Sequence, residues 1–286
     1  MIDATAIILT KNEENNIVDC LESMKGFAKR CVVVDCGSTD QTVELAKRHG
    51  ADVYFHAFEY YARQFNWGIE HGSIDTEWII RLDADERFPE ALKSEIERLI
   101  AKYEGQPMNG IAIEADLIFL QRPMRHGLRN KRKLMLFKKA CGCIEDRRRD
   151  AHSVISEGFS ISAKNHFLHY NHHDLDAYIK KYNWYATREV LDYIDYTVKG
   201  ETTEQADPII AAHRKNKFGL YYKAPKFLRC WLWFIYNYIF RLGFLDGKEG
   251  LIYCYFECYW YRYLVDAKIY EFEKGIQTQM ELKALE

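Results

Sequence analysis

The sequence predicts an α/β protein whose parallel sheet carries helices on both faces and which continues into an α-helical extension. Two observations predict the sheet: short, continuously apolar runs alternate with helical patterns near the start of the chain, and polar or acidic residues follow these runs. Strands that are apolar throughout are covered on both faces, as in parallel sheets with helical crossovers. Long helical patterns with few prolines predict the extension.

The elements alternate from the start of the chain. In order they are a strand over 4–9, a helix over 14–27, a strand over 31–35, a helix over 38–48, a strand over 52–55 and a helix over 60–71. Ligands of such sheets bind beyond the carboxyl ends of the strands. We therefore expect the functional site in the segments that follow the strands.

A further apolar run, 78–82, ends in two carboxylates, Asp83 and Asp85. Two oxygen ligands at this spacing can hold Mg2+ or Mn2+ and leave coordination positions free for a diphosphate. An isolated Asp-x-Asp is more often a pair of solvated loop carboxylates. The position of this pair after a buried type of strand favours a metal site.

Three segments at the predicted strand ends carry a family resemblance. They read Ile-Leu-Thr-Lys-Asn-Glu-Glu over 8–14, Val-Asp-Cys-Gly-Ser-Thr-Asp-Gln-Thr over 34–42 and Leu-Asp-Ala-Asp-Glu over 82–86. In this order and spacing they resemble glycosyltransferase family 2, in the branch that adds sugars to lipopolysaccharide core or capsule. The resemblance implies the GT-A fold of nucleotide-diphospho-sugar transferases and a metal-dependent, inverting reaction. It also implies a nucleotide-sugar donor, with a UDP-sugar favoured, and a glycolipid or polysaccharide acceptor.

Within this resemblance, the first two strand ends bind the nucleotide. Thr10, Asn12 and Glu13 are the candidates for contacts with base or ribose. Asp35 is the candidate acceptor for the imide N–H of a uracil or the amino group of another base. For Asn12 and Glu13 the alternative is a helix start, where acidic residues suit the helix dipole.

The resemblance assigns three further donor-binding candidates. Arg63 and Asn66 lie three residues apart, hence on one helix face, and Asp83 follows the 78–82 strand. For Arg63 the alternative is an exposed helical arginine. His169, just ahead of the C-terminal helices, joins Asp83 and Asp85 as a candidate metal ligand.

An inverting transfer also needs a base that takes the proton of the acceptor hydroxyl. The segment 144–152 resembles the acidic segment of the family, in which Asp-Glu-His is common, although Ala151 stands here in place of the glutamate. Asp150 is the first candidate for the catalytic base and Asp146 the second. The alternative is that both acids neutralise the arginines between them.

Charge and composition limit the partners. A net charge of -2 argues against a general nucleic-acid binder. Lysine and arginine nevertheless crowd the segment 122–149, which favours an anionic acceptor or an anionic lipid surface over the alternative of a solvated basic loop. No secretory signal pattern begins the chain, so we expect a cytoplasmic protein, either free or peripheral on the inner face of the plasma membrane.

We expect a catalytic domain over 1–172 and a helical extension over 173–286, with helices over 174–193, 204–215, 225–240 and 249–272. An aromatic run in this extension is too short to span a bilayer. Its rings and flanking cations are typical of a helix lying in a membrane interface, and the alternative is packing on the next helix or a dimer face. The rings are Trp231, Trp233, Tyr236 and Tyr238, and the cations are Lys223, Lys226, Arg229 and Arg241.

Two other functions are compatible with an α/β sheet that carries carboxylates. A nucleotidyltransferase usually has a glycine-rich basic loop near its start, but the segment 10–16 contains no glycine. A noncatalytic sensor or scaffold for sugar nucleotides would keep the sheet without a full set of metal ligands and base. Asp35, Asp83 and Asp85 together argue for the enzyme.

Overall fold

The computed structural model of the protein describes residues 1–128, 132–146, 152–170, 174–199 and 221–284. The chain divides into two units. The first comprises Met1–Ile118 and Asn130–Asn171, and the second comprises Phe119–Arg129 and His172–Glu286.

The strands, in chain order, are β1 (Ile2–Thr10), β2 (Ala28–Asp35), β3 (Asp52–Phe55), β4 (Trp78–Asp83), β5 (Glu86–Arg87), β6 (Met108–Phe119), β7 (Arg122–Met124), β8 (Arg132–Lys138), β9 (Gly142–Ile144), β10 (Ser153–Ile155), β11 (Phe159–Ser162) and β12 (Phe167–His169). The first helices are α1 (Ile17–Met24), α2 (Thr42–Arg48), α3 (Tyr61–His71) and α4 (Glu90–Lys102). The predicted alternation of strand and helix over the first seventy residues is confirmed.

The sheet of the first unit has the strand order β3-β2-β1-β4-β8-β6-β12-β5. From β3 to β4 all neighbours are parallel. β8 then runs antiparallel to both β4 and β6, and β12 is parallel to β6 and antiparallel to β5. The α/β fold of the GT-A type is therefore confirmed, with a mixed half that follows the parallel half.

Both faces of the sheet are covered by helices, and adjacent residues of β1 point to opposite faces. Ile8 belongs to a core that includes Leu21 of α1 and Leu92 of α4. Ile7 belongs to the core on the other face, which includes Phe65 of α3. This two-sided burial explains why the strands are apolar at successive positions.

Gly68 of α3 sets how closely that helix approaches the sheet. A Cβ atom at this position would lie 2.9 Å from Cγ2 of Val34 and 3.2 Å from Cγ2 of Ile7. Any larger residue would force α3 away from the sheet. The close approach of α3 to the sheet therefore depends on this glycine.

The second unit is helical where the structure describes it. Its helices are α5 (Leu175–Lys199), α6 (Leu228–Ile235), α7 (Gly247–Cys254), α8 (Tyr261–Glu273) and α9 (Gln279–Ala284), with π-helical segments over Tyr236–Phe240 and Tyr255–Trp260 and a 3-10 turn over Gly243–Asp246. Helices predicted over 174–193, 225–240 and 249–272 are confirmed, and the one predicted over 204–215 lies outside the described residues. Among the described residues, no helix combines the length and apolarity needed to cross a membrane.

Two partly buried carboxylates, Glu189 and Glu257, organise the hydrogen bonds of the second unit. Glu189 accepts hydrogen bonds from the hydroxyls of Tyr222 and Tyr261 at 2.8 and 2.7 Å, and Nη1 of Arg262 lies 2.9 Å from it. The hydroxyl of Tyr178 donates to Glu257 at 2.7 Å. Tyrosines here fill apolar space with their rings and satisfy a carboxylate with their hydroxyls.

Arg229 and Asp266 form an ion pair inside this unit. Both residues are buried, Nε of Arg229 donates to Oδ1 of Asp266 at 2.9 Å, and the backbone N–H of Phe227 donates to Oδ2 at 2.8 Å. Lys226 pairs with Glu273 at 2.6 Å. The expectation that Arg229 faces lipid headgroups is therefore wrong, because a carboxylate 37 residues later in the chain draws it inward.

Asp266→Ala is expected to lower the free energy of unfolding by about 3–5 kcal/mol, because it leaves the guanidinium of Arg229 buried without its partner. Urea unfolding followed by tryptophan fluorescence measures the loss. Glu273→Ala is the matched control, since it breaks the more exposed pair with Lys226 and is expected to cost less than about 1 kcal/mol. Equal losses in the two variants would contradict a special role for the buried pair.

Candidate active site

The carboxyl ends of three parallel strands meet at one edge of the sheet. In the register of β1 with β2, Thr10 is paired with Asp35, and in the register of β1 with β4, Leu9 is paired with Asp83. The segments that follow these strands therefore lie side by side. Here the sequence predicted the nucleotide site and the metal site.

The carboxylate of Asp35 is bonded on both oxygens. Its Oδ1 accepts the backbone N–H groups of Gly37 and Ser38, each at 2.8 Å. Its Oδ2 accepts the hydroxyls of Thr10 at 2.9 Å and of Ser38 at 2.5 Å. Burial alone would raise the pKa of Asp35, but these hydrogen bonds outweigh it and hold the pKa below its usual value. Asp35 thus fixes the turn after β2, and a nucleobase would have to replace one of these donors to bond it.

Asn12 ties the loop after β1 to the loop after β2. Its backbone has a φ of 56°, in the left-handed region that asparagine tolerates. Its N–H donates to Oγ of Ser38 at 2.8 Å, and its Oδ1 accepts the N–H of Thr39 at 2.8 Å. The N–H of Glu13 donates to Oγ1 of Thr42 at 2.7 Å. The two loops therefore form one connected surface at the edge of the sheet.

Lys133 lies between two carboxylates at the end of β4. Its Nζ is 3.2 Å from Oδ2 of Asp83 and 2.5 Å from Oε1 of the buried Glu86. Burial alone would lower the pKa of Lys133, but the two carboxylates raise it above its usual value. Burial and the charge of Asp83 raise the pKa of Glu86, whereas Lys133 and Arg81 overcome burial and lower the pKa of Asp83. The ammonium group of Lys133 thus favours the ionised form of both neighbouring carboxyl groups.

Asp83 has a second partner on its other oxygen. The hydroxyl of Tyr61 donates to Oδ1 of Asp83 at 2.9 Å and accepts from Nε of Arg81 at 2.9 Å. The guanidinium of Arg81 also lies 4.6 Å from the centre of the Tyr61 ring. Because each carboxylate oxygen carries two lone pairs, one on each oxygen of Asp83 is still available to a metal ion.

Asp85 and His169 meet beside this group. Oδ2 of Asp85 lies 3.4 Å from Nε2 of His169, and both side chains are largely buried. β12 brings His169 there, since it is paired with Glu86 of β5. Burial alone would lower the pKa of His169, but Asp85 and Glu86 raise it above its usual value. The structure thus brings together two of the three predicted metal ligands.

Among the described residues, no group of three or more His, Cys, Asp or Glu side chains is arranged to hold a metal ion. Asp85 and His169 supply an oxygen and a nitrogen ligand at one point, a donor set that suits Mn2+ or Mg2+ when phosphate oxygens complete it. Asp83, two residues before Asp85, keeps one lone pair on each oxygen but is bonded to Tyr61 and Lys133 instead of joining this pair. The residues therefore fit a metal that binds together with a diphosphate.

Asn66 holds the strand that leads to the candidate bases. Its Nδ2 donates to the carbonyl of Ile144 at 2.7 Å, and its Oδ1 accepts the N–H of Ile144 at 3.0 Å. Two residues further on, Asp146 accepts a short hydrogen bond from the hydroxyl of Tyr60. The first candidate base, Asp150, lies outside the described residues. A contact of Asn66 with the donor stays a prediction, and its observed role is to position β9.

Arg63 is half exposed on the same helix as Asn66. Its Nη1 lies 2.5 Å from Oε2 of Glu59, and its guanidinium lies 5.2 Å from the centre of the Tyr60 ring. These contacts hold it near the residue that bonds Asp146. Its predicted contact with the donor stays a prediction.

Much of the basic segment 122–149 is already paired. Four of its described cations form ion pairs: Arg122 with Glu249, Arg132 with Glu114, Lys133 with Asp83 and Glu86, and Lys138 with Glu77. Arg129, Lys131 and the three arginines over 147–149 lie outside the described residues. For the four paired residues, the cluster is a set of local ion pairs and not an open basic surface.

Sequence reasoning missed the role of Lys133. β4 and β8 pair antiparallel with Ile80 opposite Leu136, and the same register continued for three residues places Lys133 opposite Asp83. A lysine followed by four apolar residues in a short strand is the only local signal. The pairing partner of that strand decides what the lysine contacts, and a single sequence does not show the partner.

Comparison with known families agrees with this geometry. The family described as glycosyl transferase family 2 matches residues 5–147, half of the chain. The chain belongs to glycosyltransferase family 2. This membership makes the protein a glycosyltransferase and sets aside both the nucleotidyltransferase and the noncatalytic scaffold.

Several relatives of this family member are named glycosyltransferases. The lipopolysaccharide core biosynthesis glycosyltransferase LpsC of Rhizobium meliloti is 26% identical over 278 residues, which cover 93% of this chain and 92% of LpsC. An uncharacterized glycosyltransferase of Rickettsia conorii is 24% identical over 201 residues, which cover 66% of this chain and 70% of that protein. A structure of glucosyl-3-phosphoglycerate synthase from Mycobacterium tuberculosis with Mn2+ and UDP is 18% identical, with a TM-score of 0.32, over 40% of this chain and 43% of the synthase.

Asp35→Asn is expected to lower the free energy of unfolding by about 1–3 kcal/mol at neutral pH, because an amide N–H2 would face groups that now donate to the carboxylate. The pKa of Asp35 is lowered by folding, so its charge stabilises the fold above its unfolded pKa of about 3.9. That contribution is lost as the pH falls through the folded value. The difference between wild type and variant should therefore shrink below about pH 4.

Urea unfolding of both proteins over this pH range measures the difference. Asp19→Asn is the matched control, since Asp19 forms only an exposed ion pair with Arg87 and its loss should cost less than about 1 kcal/mol. A stability difference for Asp35→Asn that does not change with pH would contradict a role for the charge.

Proposed function

We propose that the protein transfers a sugar, with inversion at the anomeric carbon, from a nucleoside diphosphate sugar to a glycolipid or polysaccharide acceptor of the lipopolysaccharide core or capsule type. The observation that carries this proposal is the meeting of three strand ends. The end of β1 lies between Asp35 of β2 and Asp83 of β4, and Asp85 contacts His169. A nucleotide at the first pair of loops would extend its diphosphate toward these acids. The LpsC relative, aligned over nearly the whole chain, supports the lipopolysaccharide assignment.

In this proposal, Thr10, Asn12 and Glu13 line the nucleotide, and a UDP-sugar is the favoured donor. Asp35 shapes the turn that receives the base. A uracil imide N–H would take the place of the Ser38 hydroxyl, which is one of two donors on Oδ2 of Asp35. The remaining backbone N–H donors would keep the carboxylate ionised and oriented.

Asp83, Asp85 and His169 would hold Mg2+ or Mn2+, which would neutralise the charge that develops on the departing diphosphate. The chain contributes fixed cations to the same task. Lys133 and Arg81 are held within hydrogen-bond reach of Asp83 or its partner Tyr61. Since both cations are tethered before the donor binds, little reorganisation is needed as charge develops.

The catalytic base is proposed to be Asp150, with Asp146 as the second choice. The hydroxyl of Tyr60 already donates to Asp146, so part of the capacity of that carboxylate to accept a proton is in use. Asn66 and the β9–β10 pair fix the start of the segment that carries both acids. The base would take the proton of the acceptor hydroxyl as its oxygen attacks the anomeric carbon.

The first unit would carry this chemistry, and the second would bring the protein to its acceptor at the cytoplasmic face of a membrane. An anionic glycolipid is the favoured acceptor, with an anionic polysaccharide as the alternative. A homodimer through the second unit is the alternative to membrane contact.

Asp85→Asn is expected to weaken Mn2+-dependent binding of UDP by about tenfold or more. The substitution removes the negative charge of one ligand of the proposed metal and keeps the shape of the side chain. Isothermal titration of UDP in the presence and absence of Mn2+ measures this directly, without any acceptor. Asp3→Asn, at the opposite end of β1, is the matched control and should bind as wild type does. If Asp85→Asn binds UDP with the metal as tightly as wild type, the metal assignment fails.

Asp150→Asn is expected to retain affinity for UDP with Mn2+ and to lose on the order of 10²-fold or more in turnover, because the amide accepts no proton. Release of UDP in the presence of acceptor measures turnover, and the titration above measures binding. Asp146→Asn is the comparison. If only Asp146→Asn is inactive, the order of the two acids is reversed; full activity of both variants would place the base elsewhere.

A further inference from the structure

An exposed row of apolar side chains runs along the helix over 228–240. Seven residues recur at the spacing of one helical face, and we name them the apolar stripe: Leu228, Trp231, Leu232, Ile235, Tyr236, Ile239 and Phe240. Each is between 41% and 73% exposed. Leu242, Phe244 and Leu245 extend the exposed surface past the end of the helix. Contiguous apolar surface of this kind marks an interaction site.

The inward face of the same helix is unusually polar. Arg229, Cys230 and Asn237 are its buried residues. Arg229 is paired with Asp266, and Nδ2 of Asn237 donates to the carbonyl of Trp233 at 2.8 Å. A surface helix of a water-soluble domain normally turns its apolar stripe to the core and its polar face to water. Here the apolar stripe faces outward, and part of the Trp231 ring is covered by Tyr259, with ring centres 4.5 Å apart.

Within the segment 221–245 every charged side chain is a cation, and the next two carboxylates along the chain, Asp246 and Glu249, are paired with His126 and Arg122. The sequence over 221–245 contains no aspartate or glutamate. Of its four cations, Arg229 and Lys226 are neutralised by Asp266 and Glu273. Lys223 and Arg241, at the two ends of the stripe, form no ion pair with any residue that the structure describes, and neither does the nearby exposed Lys248.

We propose that the apolar stripe lies in the interface of a membrane that contains anionic phospholipid. Its rings and aliphatic side chains would enter the boundary between headgroups and acyl chains, and Lys223, Arg241 and Lys248 would contact the headgroup phosphates. Thirteen helical residues span only about 20 Å, less than the hydrocarbon core, so the helix lies in the plane of the interface. This inference deepens the membrane part of the proposed function and does not depend on the sugar-transfer part.

A second copy of the chain fits the stripe less well. A twofold contact through this face would bring the same unpaired cations of two copies to one rim, and the segment 221–245 offers no carboxylate to meet them. An anionic lipid surface supplies the missing negative charge at both ends of the stripe. Charge complementarity therefore selects lipid as the occupant.

Cosedimentation with vesicles tests the proposal on the full chain. The wild type should bind vesicles of phosphatidylcholine mixed with phosphatidylglycerol more tightly than vesicles of phosphatidylcholine alone. Binding should weaken with salt without vanishing, since salt screens the cations and leaves burial of the apolar side chains unaffected.

Two sets of variants separate the stripe from the cations. Ile235→Ser with Ile239→Ser should weaken binding roughly tenfold or more, because two side chains no longer gain from leaving water. Ile179→Ser, an exposed apolar position of α5 outside the stripe, is the control and should bind as wild type does. Lys223→Gln, Arg241→Gln and Lys248→Gln together should weaken binding roughly 100-fold at low salt and far less at high salt. The matched control removes three exposed lysines of the first unit, Lys25, Lys47 and Lys102.

Sedimentation equilibrium and thermal melts complete the test. The stripe variants should melt close to the wild-type temperature, because Ile235 and Ile239 are already 41% and 48% exposed. Absence of wild-type binding to anionic vesicles at low salt would overturn the proposal, and so would equal binding of stripe and control variants. A wild-type dimer that the stripe substitutions dissociate, without a change in vesicle binding, would assign the stripe to a second copy. Titration of the same preparations with UDP and Mn2+ tests the donor site separately. Failure of the membrane proposal can therefore be distinguished from failure of the sugar-transfer proposal.

Discussion

The acids at the end of β4 can lie together because Lys133 stands between two of them. Glu86 is fully buried and Asp83 is its close neighbour, so without a cation the two would resist ionising together. The ammonium of Lys133, at 2.5 Å from one and 3.2 Å from the other, stabilises both charges. Glu86 in turn accepts the backbone N–H of Asp83 at 3.0 Å, which holds the turn that presents Asp85 to His169. The geometry of the proposed metal site therefore depends on a residue that would not touch the metal.

The two halves of the site are held by different interactions. At the proposed diphosphate side, ion pairs between largely buried groups fix the side chains: Lys133 with Asp83 and Glu86, and His169 with Asp85. At the proposed nucleotide side, Asp35 is held by backbone N–H groups and hydroxyls, and Asn12 fastens the neighbouring loop to the same turn. The hydrogen bonds to Asp35 weaken only when acid protonates its carboxylate, whereas the ion pairs of the charge cluster also respond to salt. A donor that spans both halves would meet a rigid turn at one end and a set of tethered charges at the other.

The sequence alone could predict those parts of the fold that local pattern determines. The apolar strands, their helices and the placement of Asp35 and Asp83 at strand ends follow from short segments. Contacts that join distant segments could not be predicted: Asn66 bonds the backbone of Ile144, 78 residues away, and Lys133 faces Asp83 only through the antiparallel pairing of β8. Arg229 was misassigned for the same reason, since its aromatic neighbours in sequence suggest a membrane surface while its partner Asp266 lies on another helix.

In the helix over 228–240, polar and apolar residues occupy places opposite to those of an ordinary surface helix. Tyrosine hydroxyls bond Glu189 and Glu257, and Arg229 pairs with Asp266, so most of the polar groups in this interior are bonded. The hydroxyl of Tyr221, Oδ1 of Asn237 and Nε of Arg262 are buried without a hydrogen-bond partner. The inward side of the helix over 228–240 is therefore occupied by Arg229, Cys230 and Asn237, and most of its large apolar residues are not needed there. The interior thus leaves Leu232, Ile235 and Phe240 on the outside, where contact with water is unfavourable. The fold does not need this surface for its own core, and cations without an ion-pair partner among the described residues lie at both of its ends. A membrane explains both features, because its acyl chains are apolar and its anionic headgroups carry the opposite charge.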